Sequence, residues 1–169
     1  MKKHIIDLRI TFVDRLHPRY VLLKGTPADG SRLPEMLPGQ FAQRKVEGSP
    51  ETYLRRPISI HDVTSDTVTS TNKGEEVSFL IALAGKGTRQ LATLKVGDTL
   101  NCIIPLGWGF SMPTTDAPRI LLCGGGVGIA PLLLMGRRMK EAGFEPTFLL
   151  GGRSAGDILR RSEHAALGK

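Results

Sequence analysis

Residues 120–131 constrain the fold of this chain more than any other segment, because an apolar run, four glycines and a proline follow one another there. The apolar run at residues 120–122 predicts a buried strand. The glycines leave the next loop without side chains, so a phosphate group can approach its backbone N–H groups; they are Gly124, Gly125, Gly126 and Gly128. Pro131 suits the first turn of a helix, where a missing N–H breaks no hydrogen bond.

A helix and a second strand are expected after this loop. Residues 132–141 carry apolar side chains at helical spacing, Gly143 ends the helix, and residues 146–150 form another apolar run. These parts predict one βαβ unit. From Gly126 the loop reads G-x-G-x-x-P, with Pro131 replacing the third glycine of the dinucleotide-binding fingerprint. The loop therefore fits either a phosphate site or a tight turn that only packs a helix onto a sheet.

Composition disfavours several classes of function. The formal net charge of +7 is dispersed and only 5% of residues are aromatic, which argues against nucleic-acid binding and fits an anionic cofactor. The sequence has no apolar run of membrane-spanning length and no secretory signal, so we expect a cytoplasmic protein without a membrane partner. The two cysteines, Cys102 and Cys123, form no C-x-x-C pair, so no disulfide framework or metal site is expected from this chain.

Residues 1–112 predict an all-β domain, because short apolar segments alternate there with turn residues. The expected strands span residues 4–13, 20–24, 40–46, 58–63, 67–71, 77–83 and 99–104. Strands at this spacing are typical of a closed barrel or a sandwich. One short helix is expected at residues 88–94.

Residues 113–118 predict a linker, and residues 119–169 predict the first part of an α/β domain. Two strands and one helix are too few for a doubly wound sheet. We therefore expect the chain to be a fragment of a longer protein, or another chain to complete the sheet. The polar segment 153–169 is expected to be mobile or held by a neighbouring copy.

Three motifs in the β region are candidates for ligand binding, and each also has a purely structural interpretation. The first is a strand in which an arginine fork can bind a diphosphate; it contains Arg56, Pro57, Ile58 and Ser59. The second is a loop that forms either an anion nest or a helix cap; it contains Gly85, Gly87 and Thr88. The third is the corner around Trp108, which we expect to plug the end of the barrel rather than to wall a planar ligand.

Taken in order, these motifs resemble the ferredoxin–NADP reductase superfamily. More closely, they resemble the electron-transfer subunits of class 1B dihydroorotate dehydrogenases. The order of the motifs is more specific than any one of them, and the resemblance covers nearly the whole chain. The segments that carry it are residues 37–41, 55–60, 85–88, 105–110, 124–131 and 148–153.

The resemblance implies a FAD-binding β-barrel followed by a Rossmann-like NAD-binding α/β domain. By this match Arg56 would hold the FAD pyrophosphate, with Gly87 and Thr88 on its other side, and Ser59 would lie near the flavin ring. The glycines of residues 124–128 would line the entry of NADH. Electrons would pass between NAD(H) and FAD, and through a [2Fe-2S] cluster to the FMN of a catalytic dihydroorotate dehydrogenase subunit. That partner would complete a heterotetramer of pyrimidine biosynthesis.

One departure from the family is large. The family's C-terminal cysteine cluster for [2Fe-2S] is missing from this sequence, which favours truncation and predicts that the chain itself does not ligate the cluster. Two alternatives stay open. The chain is another NAD(P)H-dependent flavin or ferredoxin reductase, or it is a non-enzymatic interaction module that keeps the barrel.

Overall fold

The computed structural model describes residues 2–48, 52–64, 75–114 and 119–169. The predicted strand at residues 67–71 and residues 115–118 of the predicted linker lie outside these ranges. The described strands are β1 (His4–His17), β2 (Tyr20–Pro27), β3 (Phe41–Arg44), β4 (Arg56–Ser59), β5 (Asp62–Thr64), β6 (Glu76–Ala82), β7 (Thr99–Leu106), β8 (Leu121–Gly125) and β9 (Thr147–Gly151). The helices are α1 (Lys86–Leu91), α2 (Leu132–Glu141) and α3 (Arg161–Ala165), with 3₁₀ turns at Gly126–Ile129 and Ala155–Asp157. None of these helices is both long enough and apolar enough to cross a bilayer.

Strands β1–β7 form one antiparallel sheet in the order β4-β3-β7-β1-β2-β6-β5. Alternate residues of a strand point to the same face of its sheet. Leu8 and Ile10 of β1 therefore reach the same core cluster as Leu23 of β2 and Phe79 of β6. This sheet is the predicted β-barrel.

The chain between β4 and β5 joins the two ends of the sheet. The prediction of a single strand over residues 58–63 is wrong, because the chain changes partner there. Ile60 donates its N–H to the carbonyl of Gln40 at 3.0 Å, whereas His61 donates to the carbonyl of Ser78 at 2.9 Å. β4 consequently pairs with β3, and β5 pairs with β6.

Strands β8 and β9 pair in parallel, as the predicted βαβ unit requires, and α2 covers one face of this small sheet. The cluster between them contains Leu122, Leu132, Met135 and Met139. On the opposite face Leu121 and Leu149 are exposed, and Cys123 beside them is exposed as well. Among the described residues this sheet has two strands, and the one helix that packs on it covers one face and leaves the other exposed.

The first turn of α2 also enters the barrel. Leu134 is fully buried in the barrel's core cluster, whereas Leu132, Met135 and Met139 belong to the cluster under β8 and β9. Its backbone N–H, one of the first-turn donors that a helix cannot satisfy internally, bonds to the carbonyl of His61 at 3.1 Å. Leu134 therefore joins α2 to the core of the barrel.

The C-terminal segment packs on its own chain, and the prediction that it is mobile or held by a neighbouring copy is wrong. The Asp157 carboxylate is buried and receives a hydrogen bond from the Arg19 guanidinium at 2.5 Å. The His164 ring lies edge-on to Phe148, with ring centroids 5.1 Å apart. Because the segment is polar on average, the few residues in it that have a specific partner did not stand out in the sequence.

Candidate cofactor-binding site

Strand β4 carries the candidate residues of the arginine motif. It pairs with β3 along its whole length, so Arg56 and Ser59 lie about 10 Å apart along an extended backbone. β4 is the outer strand on its side of the sheet. Pro57 is exposed there, and a residue without an N–H is tolerated best at such an edge. Ile58 is half-buried between them and packs against the barrel core.

Of the two consecutive arginines, Arg56 belongs to the candidate site and Arg55 does not. The Arg55 guanidinium donates to the backbone carbonyls of Gln43 and Asn101 and to the Asn101 side chain. Asn101 in turn donates to Asp7. Arg55 thus ties β3 to β7 on the outer surface of the barrel.

Arg56 lies directly against Gly87 in the first turn of α1. A Cβ placed at Gly87 would collide with the Arg56 guanidinium and would lie 3.1 Å from Cγ2 of Thr52. Helix α1 begins two residues earlier than predicted. Gly85 is its cap, and Thr88 folds back to accept the Gly85 N–H at 3.1 Å. The structure therefore brings together the two barrel segments that the sequence had separated by about thirty residues.

The glycine-rich turn (residues 124–130) connects β8 to α2 through a 3₁₀ turn. A Cβ at Gly124 would lie 2.8 Å from Cδ1 of Leu132 and 3.2 Å from the carbonyl oxygen of Gly128, so a side chain there would displace Leu132. Gly126 has φ +54°, which favours glycine, whereas a Cβ at Gly128 would meet no atom within 4 Å. Pro131 stands just before the first residue of α2.

A cleft of about 570 Å³ opens beside this turn, at the carboxyl ends of β8 and β9. That is the edge at which open α/β sheets bind ligands, and the volume lies in the usual range of ligand pockets. From the sheet it is lined by Gly125, Gly126, Gly151, Gly152, Arg153 and Asp157, and from the barrel by Arg19, Tyr20 and residues 82–84. Residue 84 precedes Gly85, so the cleft ends where the cap of α1 begins.

The structure thus arranges the predicted residues in two adjoining groups. Arg56 and the Gly85–Thr88 loop form the first, and the glycine-rich turn at the cleft forms the second. Sequence reasoning missed Arg19 and Tyr20, because nothing in the segment around them is unusual. The prediction that Trp108 plugs the barrel is wrong, since 96% of its surface is exposed.

The sequence predicts that this chain supplies no metal-binding site. Cys102 is buried in the barrel core, and Cys123 lies on the uncovered face of the β8–β9 sheet. Within the described ranges, no group of three or more His, Cys, Asp or Glu side chains is placed to hold a metal ion.

Two buried histidines make the stability of the fold depend on pH. Burial lowers the pKa of His61 from 6.5 to about 4, and it lowers the pKa of His164 as well. Near pH 6.5 these two histidines take up protons in the unfolded chain but not in the folded chain. The fold is therefore fully stable above about pH 6.5 and loses stability as the pH falls towards 4. We expect the urea midpoint to be lower at about pH 5 than at about pH 7.5. The difference should shrink in His61→Asn, and equal midpoints in the wild-type protein would contradict the buried neutral imidazoles.

Comparison with known proteins identifies relatives of this chain. No family model matches the chain. The electron transfer subunit of dihydroorotate dehydrogenase B (NAD(+)) from Shouchella clausii is 37% identical over 134 residues, which cover 78% of this chain and 48% of that protein. The corresponding Listeria monocytogenes subunit is 38% identical over 136 residues, covering 79% of this chain and 50% of that protein. This chain is a homologue of these electron transfer subunits. It spans about half the length of the curated relatives that it matches.

Solved structures agree on the fold. A NADH-dependent reduced ferredoxin-NADP oxidoreductase is 25% identical, with a TM-score of 0.75 over 95% of this chain and 54% of that chain. The FAD/NAD-binding domain of nitric oxide dioxygenase from Vibrio cholerae has a TM-score of 0.78 at 21% identity, over 96% of this chain and 68% of that chain. This chain, a homologue of the electron transfer subunits, therefore has a ferredoxin-reductase-like barrel followed by part of an α/β domain.

Proposed function

We propose that this chain is the flavin-binding part of an electron transfer subunit and that it exchanges hydride between NAD(H) and FAD. The observation that carries the proposal is the contact of Arg56 with Gly87, which brings a guanidinium to the N-terminus of α1. Within the proposal residues 1–112 bind FAD, residues 113–118 are a linker, and residues 119–169 form the NAD(H) side.

The residues around Arg56 fit the diphosphate of FAD. A guanidinium pairs with phosphate oxygens through two parallel hydrogen bonds, and the first-turn N–H groups of a helix have no internal acceptor. Because Gly87 has no side chain, the Arg56 guanidinium lies directly against the first turn of α1, and the two kinds of donor are close together. Ser59, at the far end of β4, is then placed toward the ring system. Bound FAD supplies the capacity to take up a hydride and to release its electrons one at a time.

The cleft beside the glycine-rich turn fits the nicotinamide nucleotide. Gly125 and Gly126 expose backbone at its floor, and Arg19 and Arg153 line it with positive charge. Among the described residues that line it, the only carboxylate is Asp157, which is paired with Arg19. A dinucleotide phosphate therefore meets a surface with an excess of positive charge.

The acceptor beyond FAD is proposed from the homologues. Their names identify them as electron transfer subunits of dihydroorotate dehydrogenase B. We infer a heterotetramer with the FMN-containing catalytic subunit, acting in pyrimidine biosynthesis in the cytoplasm. The described residues do not fit a [2Fe-2S] cluster, since Cys102 and Cys123 lie apart without further ligands. No step of this proposal runs through such a cluster on this chain.

Another NAD(P)H-dependent flavin or ferredoxin reductase is the second candidate, favoured by the likeness to the ferredoxin-NADP oxidoreductase. Both candidates share the FAD and nicotinamide steps and differ in the electron acceptor. Affinity capture with the tagged chain from its native host separates them, because only the first candidate recovers the FMN subunit.

The test of FAD binding uses two matched glycine variants. Gly87→Ala places a methyl group against Arg56, whereas a Cβ at Gly156, which lies outside the Arg56 group, meets no atom closer than 3.9 Å. In a fluorescence titration with FAD we expect Gly87→Ala to raise the Kd about tenfold, equivalent to about 1.4 kcal/mol, and Gly156→Ala to bind like the wild-type protein. Anaerobic addition of NADH should then bleach the flavin absorbance. A wild-type chain that takes up no FAD would instead support the interaction module.

A further inference from the structure

We propose that His61 is a positioning residue that holds the glycine-rich turn against the flavin-binding strand and so sets the rate of hydride transfer. The inference rests on the proposed function. It concerns a side chain that lies outside both groups of candidate ligands.

His61 bonds to three parts of the fold at once. Its N–H donates to Ser78 of β6 at 2.9 Å, and its carbonyl accepts the N–H of Leu134 in α2 at 3.1 Å. Its ring Nδ1 lies 2.7 Å from the carbonyl of Ala130, the last residue of the glycine-rich turn. Only the last of these contacts belongs to the side chain, so it is the one that a substitution can remove.

His61 is close in sequence to the strand that we assign to the flavin, so its bond to Ala130 links that strand to the glycine-rich turn. Ser59, which we assign to the flavin-ring end of the FAD site, lies two residues before His61, and Ile60 between them is fully buried. The connection from the flavin strand to the glycine-rich turn is therefore short and passes through packed atoms. A displacement of reacting groups by about 1 Å can slow a reaction by about 100-fold.

Burial fixes the protonation state and the tautomer. The ring is 1% exposed, and because its Nδ1 partner is a carbonyl, Nδ1 carries the proton. Nε2 finds no hydrogen-bond partner among the described residues. The neutral ring therefore donates one hydrogen bond, to Ala130.

Several charged side chains lie on the elements packed around the His61 ring. Asp62 of β5 is bound by both Nε and Nη2 of Arg137 in α2. Lys24 of β2 pairs with Glu76 of β6 at 3.2 Å. Asp62 favours a positive charge on His61, Arg160 and His164 from the C-terminal segment disfavour it, and burial has the largest effect and keeps the ring neutral.

Two amide variants test the proposal, because they differ in where the amide nitrogen lies. His61→Asn places an N–H donor near the position of Nδ1, whereas His61→Gln places it near Nε2. With FAD bound, we expect the rate of flavin reduction at saturating NADH to fall at least about tenfold in His61→Gln and to stay within about threefold of wild type in His61→Asn. The Kd for FAD should change by less than about threefold in both variants.

Amide hydrogen exchange of the glycine-rich turn provides a readout without cofactor. The turn should exchange faster in His61→Gln than in His61→Asn and wild type. Equal reduction rates in the two variants, or equal exchange, would overturn the proposal. If the wild-type chain binds no FAD or is not reduced by NADH, the proposed function fails, and the exchange comparison still decides whether His61 holds the turn.

Discussion

Arg56→Ala weakens FAD binding by about 100-fold, the largest effect that we expect from one side chain of the candidate site. A charge-assisted hydrogen bond contributes about 1.5–3 kcal/mol, equivalent to about 10-fold to 150-fold in Kd. Removal of the guanidinium also leaves Gly87 facing an open space. Titration of the apoprotein with FAD measures the change.

Arg55→Ala is the matched control for this prediction. Its guanidinium is bound to Gln43 and Asn101 on the other side of the strand. We expect Arg55→Ala to lower the free energy of unfolding and to leave the Kd for FAD unchanged. Arg56→Lys should give an intermediate Kd, because lysine keeps the charge and loses the planar fork. Equal loss of FAD in Arg55→Ala and Arg56→Ala would contradict the assignment of Arg56.

Leu134→Ala lowers the free energy of unfolding by about 3 kcal/mol, within the range of about 2–5 kcal/mol for truncation of a buried leucine. Leu134 is fully buried in the barrel core although it belongs to α2. The substitution leaves a cavity at the contact between the two parts of the molecule. Urea denaturation followed by circular dichroism measures the loss.

Leu149→Ala is the control for Leu134→Ala. Leu149 is 57% exposed on the uncovered face of the β8–β9 sheet. The same truncation there should change the free energy of unfolding by less than about 0.5 kcal/mol. A similar loss in both variants would mean that the uncovered face is buried in solution.

Local patterns in the sequence predicted those parts of the fold whose cause is local. The apolar run before Gly124 forms β8, the glycines form a turn without side chains, and α2 follows Pro131. The approach of Arg56 to Gly87 was expected from the resemblance to a family. No periodicity in the sequence brings two segments of a barrel together.

Contacts between distant residues were beyond local reasoning. His61 and Ala130 are separated by 69 positions, and His61 stands in none of the motifs. A lone histidine gives no sign of the carbonyl that it binds. Leu134 belongs to α2 and yet packs in the barrel core, and helical spacing does not say which of two neighbours a side chain enters.

Average polarity was misleading in two places. Residues 153–169 are polar as a set, yet Asp157 and His164 are buried because each has a specific partner. Trp108 is the largest apolar side chain of its corner and is nevertheless exposed. Burial follows from available partners, and hydrophobicity alone does not determine it.

The pairing of Arg19 with Asp157 links the cleft to the end of the chain. Arg19 forms part of the cleft wall and also anchors the C-terminal segment. An anionic guest that draws this guanidinium toward itself competes with Asp157 for it, and by reciprocity the anchored segment opposes that guest. We therefore expect a protease to cleave residues 153–169 faster when an anion occupies the cleft.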